Sequence, residues 1–75
     1  NQVSNIAHSN MDLAFAYSKT GRIMKAINSN NKAIKFYEKQ NSFRYLSLAY
    51  FNQSDYYYDN NDFKAIEVKK VKFMP

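Results

Sequence analysis

Two stretches decide how this chain folds: Ala14–Ile27, AFAYSKTGRIMKAI, and Ser54–Ile66, SDYYYDNNDFKAI. Each carries a tyrosine-bearing segment, a polar turn, and then an apolar residue followed by Lys-Ala-Ile. The first copy places Met24, Lys25, Ala26 and Ile27 after Gly21; the second places Phe63, Lys64, Ala65 and Ile66 after Asn61. Ala14 and Ser54 lie 40 residues apart, as do Tyr17 and Tyr57, whereas Met24 and Phe63 lie 39 apart, so the second turn is one residue shorter. A repeat of this length built from helical segments indicates stacked helix hairpins. Such arrays are scaffolds that hold other chains and are rarely enzymes.

Working outward from the repeat, helical spacing predicts four helices. The first, from Val3 to Thr20, aligns Ile6, Asn10, Leu13, Ala14 and Tyr17 along one stripe. Gly21 follows, the residue type that takes the left-handed conformation just past a helix end. The second, Ile23 to Gln40, collects Ile23, Ala26, Ile27, Ala33, Ile34 and Tyr37, and Asn41 and Ser42 then form a turn and N-cap pair. The third, Phe43 to Asp59, aligns Phe43, Leu46, Ala49, Tyr50, Ser54 and Tyr57. Asn60, Asn61 and Asp62 turn the chain into a fourth, Phe63 to about Phe73, with Phe63, Ile66 and Phe73 on one side. Two segments compete with this reading. Asn28, Ser29, Asn30 and Asn31 each disfavour a helix interior and allow a break there, although the apolar stripe crosses them in phase. Tyr56, Tyr57 and Tyr58 suit a strand, but no second strand-like segment is present to pair with them.

Composition bounds the alternatives. With 75 residues the chain is short for an independent core, and its first residue, Asn1, suggests a fragment of a longer array. Hydrophobic residues make up 45%, including seven Tyr and six Phe, too apolar for a disordered chain. Single Gly and Pro residues argue for helices with short connections. Without cysteine there is no disulfide framework or cysteine-based zinc site. No apolar run approaches the roughly 20 residues of a membrane span. A cytoplasmic, soluble protein is expected.

The same residues resemble the tetratricopeptide repeat (TPR), a helix pair with a small residue where the helices cross, an aromatic three positions later and alanines on the second helix. Leu13, Ala14, Tyr17, Gly21, Ile23, Ala26, Ala33 and Ile34 fit that pattern, as do Tyr50, Ser54, Tyr57, Phe63, Ala65 and Ile66. Asn10, Asn30 and Lys72 depart from it, and the period exceeds the family's common 34 residues. The expected fold is all-α: two stacked antiparallel helix hairpins of a right-handed TPR-like solenoid. Repeat one covers about 3–40 and repeat two about 42–74 within a single fragment, 1–75. Longer repeats of this kind are similar to those of Gram-positive peptide-pheromone-sensing transcriptional regulators, particularly over Leu48–Tyr58. That similarity implies a peptide-sensing role for the array and a groove asparagine at Asn52.

Net charge is +5, but the cations gather on the second helix of each pair: Arg22, Lys25, Lys32, Lys35 and Lys39, then Lys64, Lys69, Lys70 and Lys72. In TPR arrays the first helices line the concave groove, so the resemblance implies a polar, aromatic, mildly acidic groove and an outward-facing basic surface. Its candidate lining is His8, Asp12, Phe15 and Lys19, with Met11 beside them, and, about 40 residues on, Phe51, Asn52, Asp55, Tyr58 and Asp59, with Leu48 beside them. An asparagine carboxamide can donate to and accept from an extended peptide backbone at once, which makes Asn52 the leading candidate. Each position also has a plainer reading: a solvated asparagine, aromatics that pack on a neighbouring repeat, lysines that only solubilise.

Chemistry is scarce. His8 is the only histidine, with Asp12 one turn away as its sole acidic neighbour in sequence, and a solvated or partly packed role suits it better than catalysis. Asp55 and Asp59 share a face but lack a third ligand or a cleft-forming partner motif. No catalytic residue, metal site or cofactor is expected. The expected partners are a peptide or protein and a second copy through exposed terminal helices, with no membrane and no direct nucleic-acid contact by this segment. The competing expectation is a structural scaffold that dimerises or assembles without a peptide ligand.

Overall fold

A computed structural model describes residues 2–60. They form three helices, α1 (Gln2–Lys19), α2 (Ile23–Lys39) and α3 (Phe43–Asp59), with no strand among the described residues. The chain is therefore all-helical over this span, as the spacing predicted. The fourth predicted helix, Phe63 to about Phe73, and with it the second helix of the second hairpin, lies outside the described residues.

Both turns are built the same way. The N–H of Arg22 bonds to the Tyr17 carbonyl at 2.8 Å and that of Gly21 to Ser18 at 3.3 Å, while Gly21 sits at φ 79°. One hairpin arm later the N–H of Ser42 bonds to Tyr37 at 3.0 Å and that of Asn41 to Glu38 at 3.3 Å, with Asn41 at φ 53°. These are two Schellman closures, one using glycine and the other the non-glycine residue that best tolerates the left-handed region. Ser42 occupies the N-cap position of α3 as expected, but its side chain makes no capping bond. Its carbonyl accepts the Leu46 N–H at 2.8 Å and begins the helix.

The tight turns make α1 and α2 antiparallel, and likewise α2 and α3. His8 meets Tyr37 at one end of the first pair, and Ala14 clusters with Ala26 and Ile27 toward the other. α2 is packed on two sides. Ala7 and Met11 from α1, Ala33, Ile34 and Tyr37 from α2, and Leu46, Ala49 and Tyr50 from α3 form one buried cluster. A second joins Ala14, Ala26, Ile27 and Tyr56, with Tyr17, Ile23 and Tyr57 packed around it. The completely buried Ala14, Ala26, Ala33 and Ala49 let the helices approach closely.

The predicted stripe of α2 is correct at every position except Ile23, which is half-buried. On α1 the stripe is displaced by about one residue: Ile6 and Leu13 are 59% and 45% exposed, whereas Ala7, Met11 and Ala14 are buried. The reason is geometric, since α1 packs mainly on α2 and a narrow seam at i, i+4 and i+7 suffices for that contact. Phe43, expected in the stripe of α3, is 70% exposed in that helix's first turn. The polar run Asn28–Asn31 does not break α2.

Instead that run supplies the main polar bond set between α2 and α3. Asn30 and Gln53 are both 0% exposed. Asn30 Nδ2 donates to the Ala49 carbonyl at 2.7 Å and to Gln53 Oε1 at 3.0 Å. Gln53 Nε2 in turn donates to Asn31 Oδ1 at 2.6 Å and to the Ile27 carbonyl at 3.4 Å. Asn30 Oδ1 is buried without a partner, so removing Gln53 adds to an already incomplete set of bonds. Gln53→Ala is expected to lower the unfolding free energy by about 2–3 kcal/mol, from unpaired amides and a cavity together. Urea denaturation followed by circular dichroism measures this; a loss below about 0.5 kcal/mol, the scale of a surface substitution, would show that the clamp is dispensable.

Candidate functional site: a cleft between the first and third helices

Because α1 and α3 both rest on α2 and pack mainly against it, a cleft opens between them toward their C-terminal ends. It has a volume of about 260 Å³. α1 contributes Phe15, Ser18 and Lys19, which share a face at i, i+3 and i+4. α3 contributes Asn52, Asp55, Tyr56, Tyr58 and Asp59. Phe15 and Tyr58 are 55% and 63% exposed, so two aromatic rings stand at the cleft open to solvent. Asn52 is half-buried, and Asp55 and Asp59 are exposed.

Among the described residues Lys19 is the one cation lining the cleft. Its Nζ lies 5.0 Å from the centroid of the Phe15 ring, a cation–π contact that directs it to the aromatic wall. Asp55 and Asp59 form no ion pair or hydrogen bond among the described residues. The lining is thus negative by one charge in a chain of net charge +5. Arg22, Lys25, Lys32, Lys35 and Lys39 are all exposed, away from this lining.

Six of the nine candidate positions meet at the cleft: Phe15, Lys19, Asn52, Asp55, Tyr58 and Asp59. Three do not. His8 is half-buried where the three helices meet, its Nδ1 in a short hydrogen bond with the Tyr37 hydroxyl and its ring 4.6 Å from that of Tyr45. Tyr37 and Tyr45 stack at 5.4 Å, so His8 completes an aromatic junction and is a packing residue. Met11, expected beside it, is buried in the core for the same reason: the seam of α1 runs through Ala7 and Met11. Asp12 and Phe51 are exposed but do not line the cleft, nor does Leu48. Among the described residues no cluster of His, Asp and Glu is suited to a metal ion, and no helix is long and apolar enough to cross a membrane.

Two lining residues were not among the candidates, Ser18 and Tyr56. Tyr56 is only 4% exposed, and its hydroxyl is buried without a hydrogen-bond partner. Ser18, which also lines the cleft, donates its hydroxyl to the Phe15 carbonyl at 2.7 Å; its side chain also acts on the Tyr56 hydroxyl by hydrogen bonding, although that pair falls outside strict hydrogen-bond geometry. The available signal was the helical series Leu46, Ala49, Tyr50, Gln53, Tyr56, whose phase a glutamine obscured.

No family model, curated protein or solved structure matches the chain. Its class is therefore defined by fold alone: all-helical over the described residues, with a cleft between two helices that share a third as their support.

Burial raises the pKa of the Tyr56 hydroxyl above 10.0, with Ser18 acting in the opposite direction and the Asp55 charge adding to the rise. Burial likewise raises Tyr37, helped by Tyr45 and Asp12. In both cases the folded state favours the neutral phenol. The associated stability is fully present below the unfolded value near pH 10 and is lost as pH rises from there through the folded pKa. Tyr56→Phe removes an unsatisfied buried hydroxyl, so at neutral pH it is expected to be neutral or stabilising by up to about 1 kcal/mol, with a shallower alkaline loss. Urea melts across neutral to alkaline pH test this; a destabilisation above about 1 kcal/mol would mean that the hydroxyl is bonded within the fold.

Proposed function

We propose that the chain is a peptide- or protein-binding module of TPR type. In this reading α1 and α2 form one helix hairpin, α3 opens the next, and the cleft between α1 and α3 is a segment of the ligand groove. The observation that carries it is the convergence of Phe15, Lys19, Asn52, Asp55, Tyr58 and Asp59 on one cleft. Aromatic walls, an amide and charged groups at the rim are what an extended peptide uses: pockets for side chains and a carboxamide that pairs with its backbone. Ligand contacts to both helices would favour one spacing between them, and a shift in that population is the means by which such an array transmits binding. The resemblance to pheromone-sensing regulators supports a bacterial cytoplasmic transcriptional regulator as the context, with the DNA-binding function carried elsewhere.

Asn52→Ala is expected to weaken capture of a short extended peptide by about tenfold, the worth of a well-placed pair of hydrogen bonds, with unchanged circular dichroism. Fluorescence anisotropy with labelled heptapeptide pools measures the effect; undiminished capture would remove Asn52 from the groove.

A second reading, assembly through self-association without a peptide ligand, is favoured by the exposure of Ile6 and Leu13 on α1 and of Phe43 and Phe51 on α3. It predicts a dimer by light scattering at micromolar concentration together with no peptide capture. A stable monomer would exclude it.

A further inference from the structure

The repeat that relates the two halves of the sequence also relates their packing. On α1 the seam that faces α2 is Ala7, Met11 and Ala14, all buried; Met11 shares a cluster with Ala33 and Ile34, and Ala14 shares one with Ala26 and Ile27. The 40-residue offset carries this seam onto Ser47, Phe51 and Ser54 of α3. These keep the i, i+4, i+7 spacing of a face packed on another helix, yet Ser47 and Ser54 are only half-buried and Phe51 is 66% exposed. Nothing in their chemistry requires water. Ser54 donates its hydroxyl to the Tyr50 carbonyl at 3.2 Å, one turn back in its own helix, so the group is satisfied without solvent. α3 meets α2 through a different face, that of Leu46, Ala49 and Gln53, so among the described residues this second seam has no covering helix.

We infer that the occupant of this seam is the chain's own continuation, residues 62–75, docked in the same molecule on α3 as α2 is docked on α1. Register is the first reason. Lys64, Ala65 and Ile66 repeat Lys25, Ala26 and Ile27 of α2 at an offset of 39, which sets Ala65 and Ile66 against Ser54, and Phe73 against Phe51. Lys72 stands where Ala33 does, and its apolar stem can cover the seam's edge while its charge stays in water. The point of exit is the second reason. Asn60, which caps α3, donates its side-chain amide to Met24 Sδ at 3.6 Å, beside a cavity of about 440 Å³ lined by Ile23, Met24 and Asn60. The continuation therefore starts next to the first turn of α2, and Phe63, three residues on, lies within about 11 Å of Asn60. Length is the third. A helix from Phe63 to Phe73 would span about 16 Å, enough to cover the seam of about 10 Å from Ser47 to Ser54. So short a tether holds the segment at a local concentration in the millimolar range, which favours the seam of its own molecule over that of a second copy. The inference is independent of the peptide-binding reading. It gives Phe51 the packing role of Met11, and so takes that ring out of both the groove and the self-association surface.

The chain has no cysteine, so an engineered pair reports on this contact without competition. Ser54→Cys is combined in the full chain with Ala65→Cys, the positions that repeat the fully buried Ala14 and Ala26, and separately with Lys64→Cys as an out-of-phase control. Both double variants are oxidised in dilute solution and followed on non-reducing gels. The in-phase pair is expected to close within the monomer about tenfold faster than the control, because a disulfide needs its two Cβ atoms within about 4.5 Å. Equal rates for the two pairs would overturn the docking. A disulfide formed between molecules would show that a second copy occupies the seam by exchange of the segment, and would overturn docking within one molecule. Urea melts of the full chain supply a readout that needs no crosslink. Phe51→Ala is expected to lower the midpoint by about 1 M, whereas Leu48→Ala, at an exposed position of α3 outside the seam, should leave it unchanged. Equal shifts for the two variants would overturn the inference, since Phe51 would then be the open surface residue that its exposure on α3 alone describes.

Discussion

α2 has to be buried on two sides at once, and that constraint organises the rest of the molecule. Its apolar positions, Ala26, Ile27, Ala33, Ile34 and Tyr37, are shared between α1 and α3, so neither outer helix needs to cover the other. Hydrophobic burial supplies the attraction but has no register of its own. The Asn30 and Gln53 amides provide register between α2 and α3, because displacing one helix along the other would leave buried donors and acceptors unpaired. The cost of burying two amides is thus offset by a single defined arrangement. The His8, Tyr37 and Tyr45 rings play the corresponding part at the other end, tying all three helices together.

The cleft is a by-product of that arrangement. Two helices resting on a common third are held apart by its width, and the gap is lined by whatever the outer helices carry on that side. Here they carry aromatics, an amide and carboxylates. The basic side chains of α2 fall on its exposed face, since a helix packed on two sides has only its remaining surface for charge. Segregation of charge between cleft and outer face follows from packing and does not require a separate electrostatic cause.

Where sequence reading failed, it failed for identifiable reasons. Tyr56, Tyr57 and Tyr58 occupy three successive helical phases with one residue type, so hydropathy could not say which faces inward. In the structure they are buried, half-buried and exposed in that order. Asn30 was read as a departure from the repeat pattern and Gln53 was not singled out, because a buried amide is recognisable only when its partner on another helix is known. His8 and Met11 were assigned to the groove side from a stripe that included Ile6 and Leu13. A helix packed mainly on one neighbour buries a narrower seam, and shifting the seam by one residue, about 100°, exchanges core for surface.

What the sequence by itself determined was the helical class, the extents of the three helices to within a residue or two, and the turns at Gly21 and Asn41. These are local properties, set by side-chain periodicity and by which residues tolerate a positive φ. Which side of α1 is buried, the amide clamp, the unpaired Tyr56 hydroxyl and the meeting of Phe15 with Asp55 and Asp59 were decided by tertiary structure. Each depends on how one helix is placed against another, and no local preference encodes that placement.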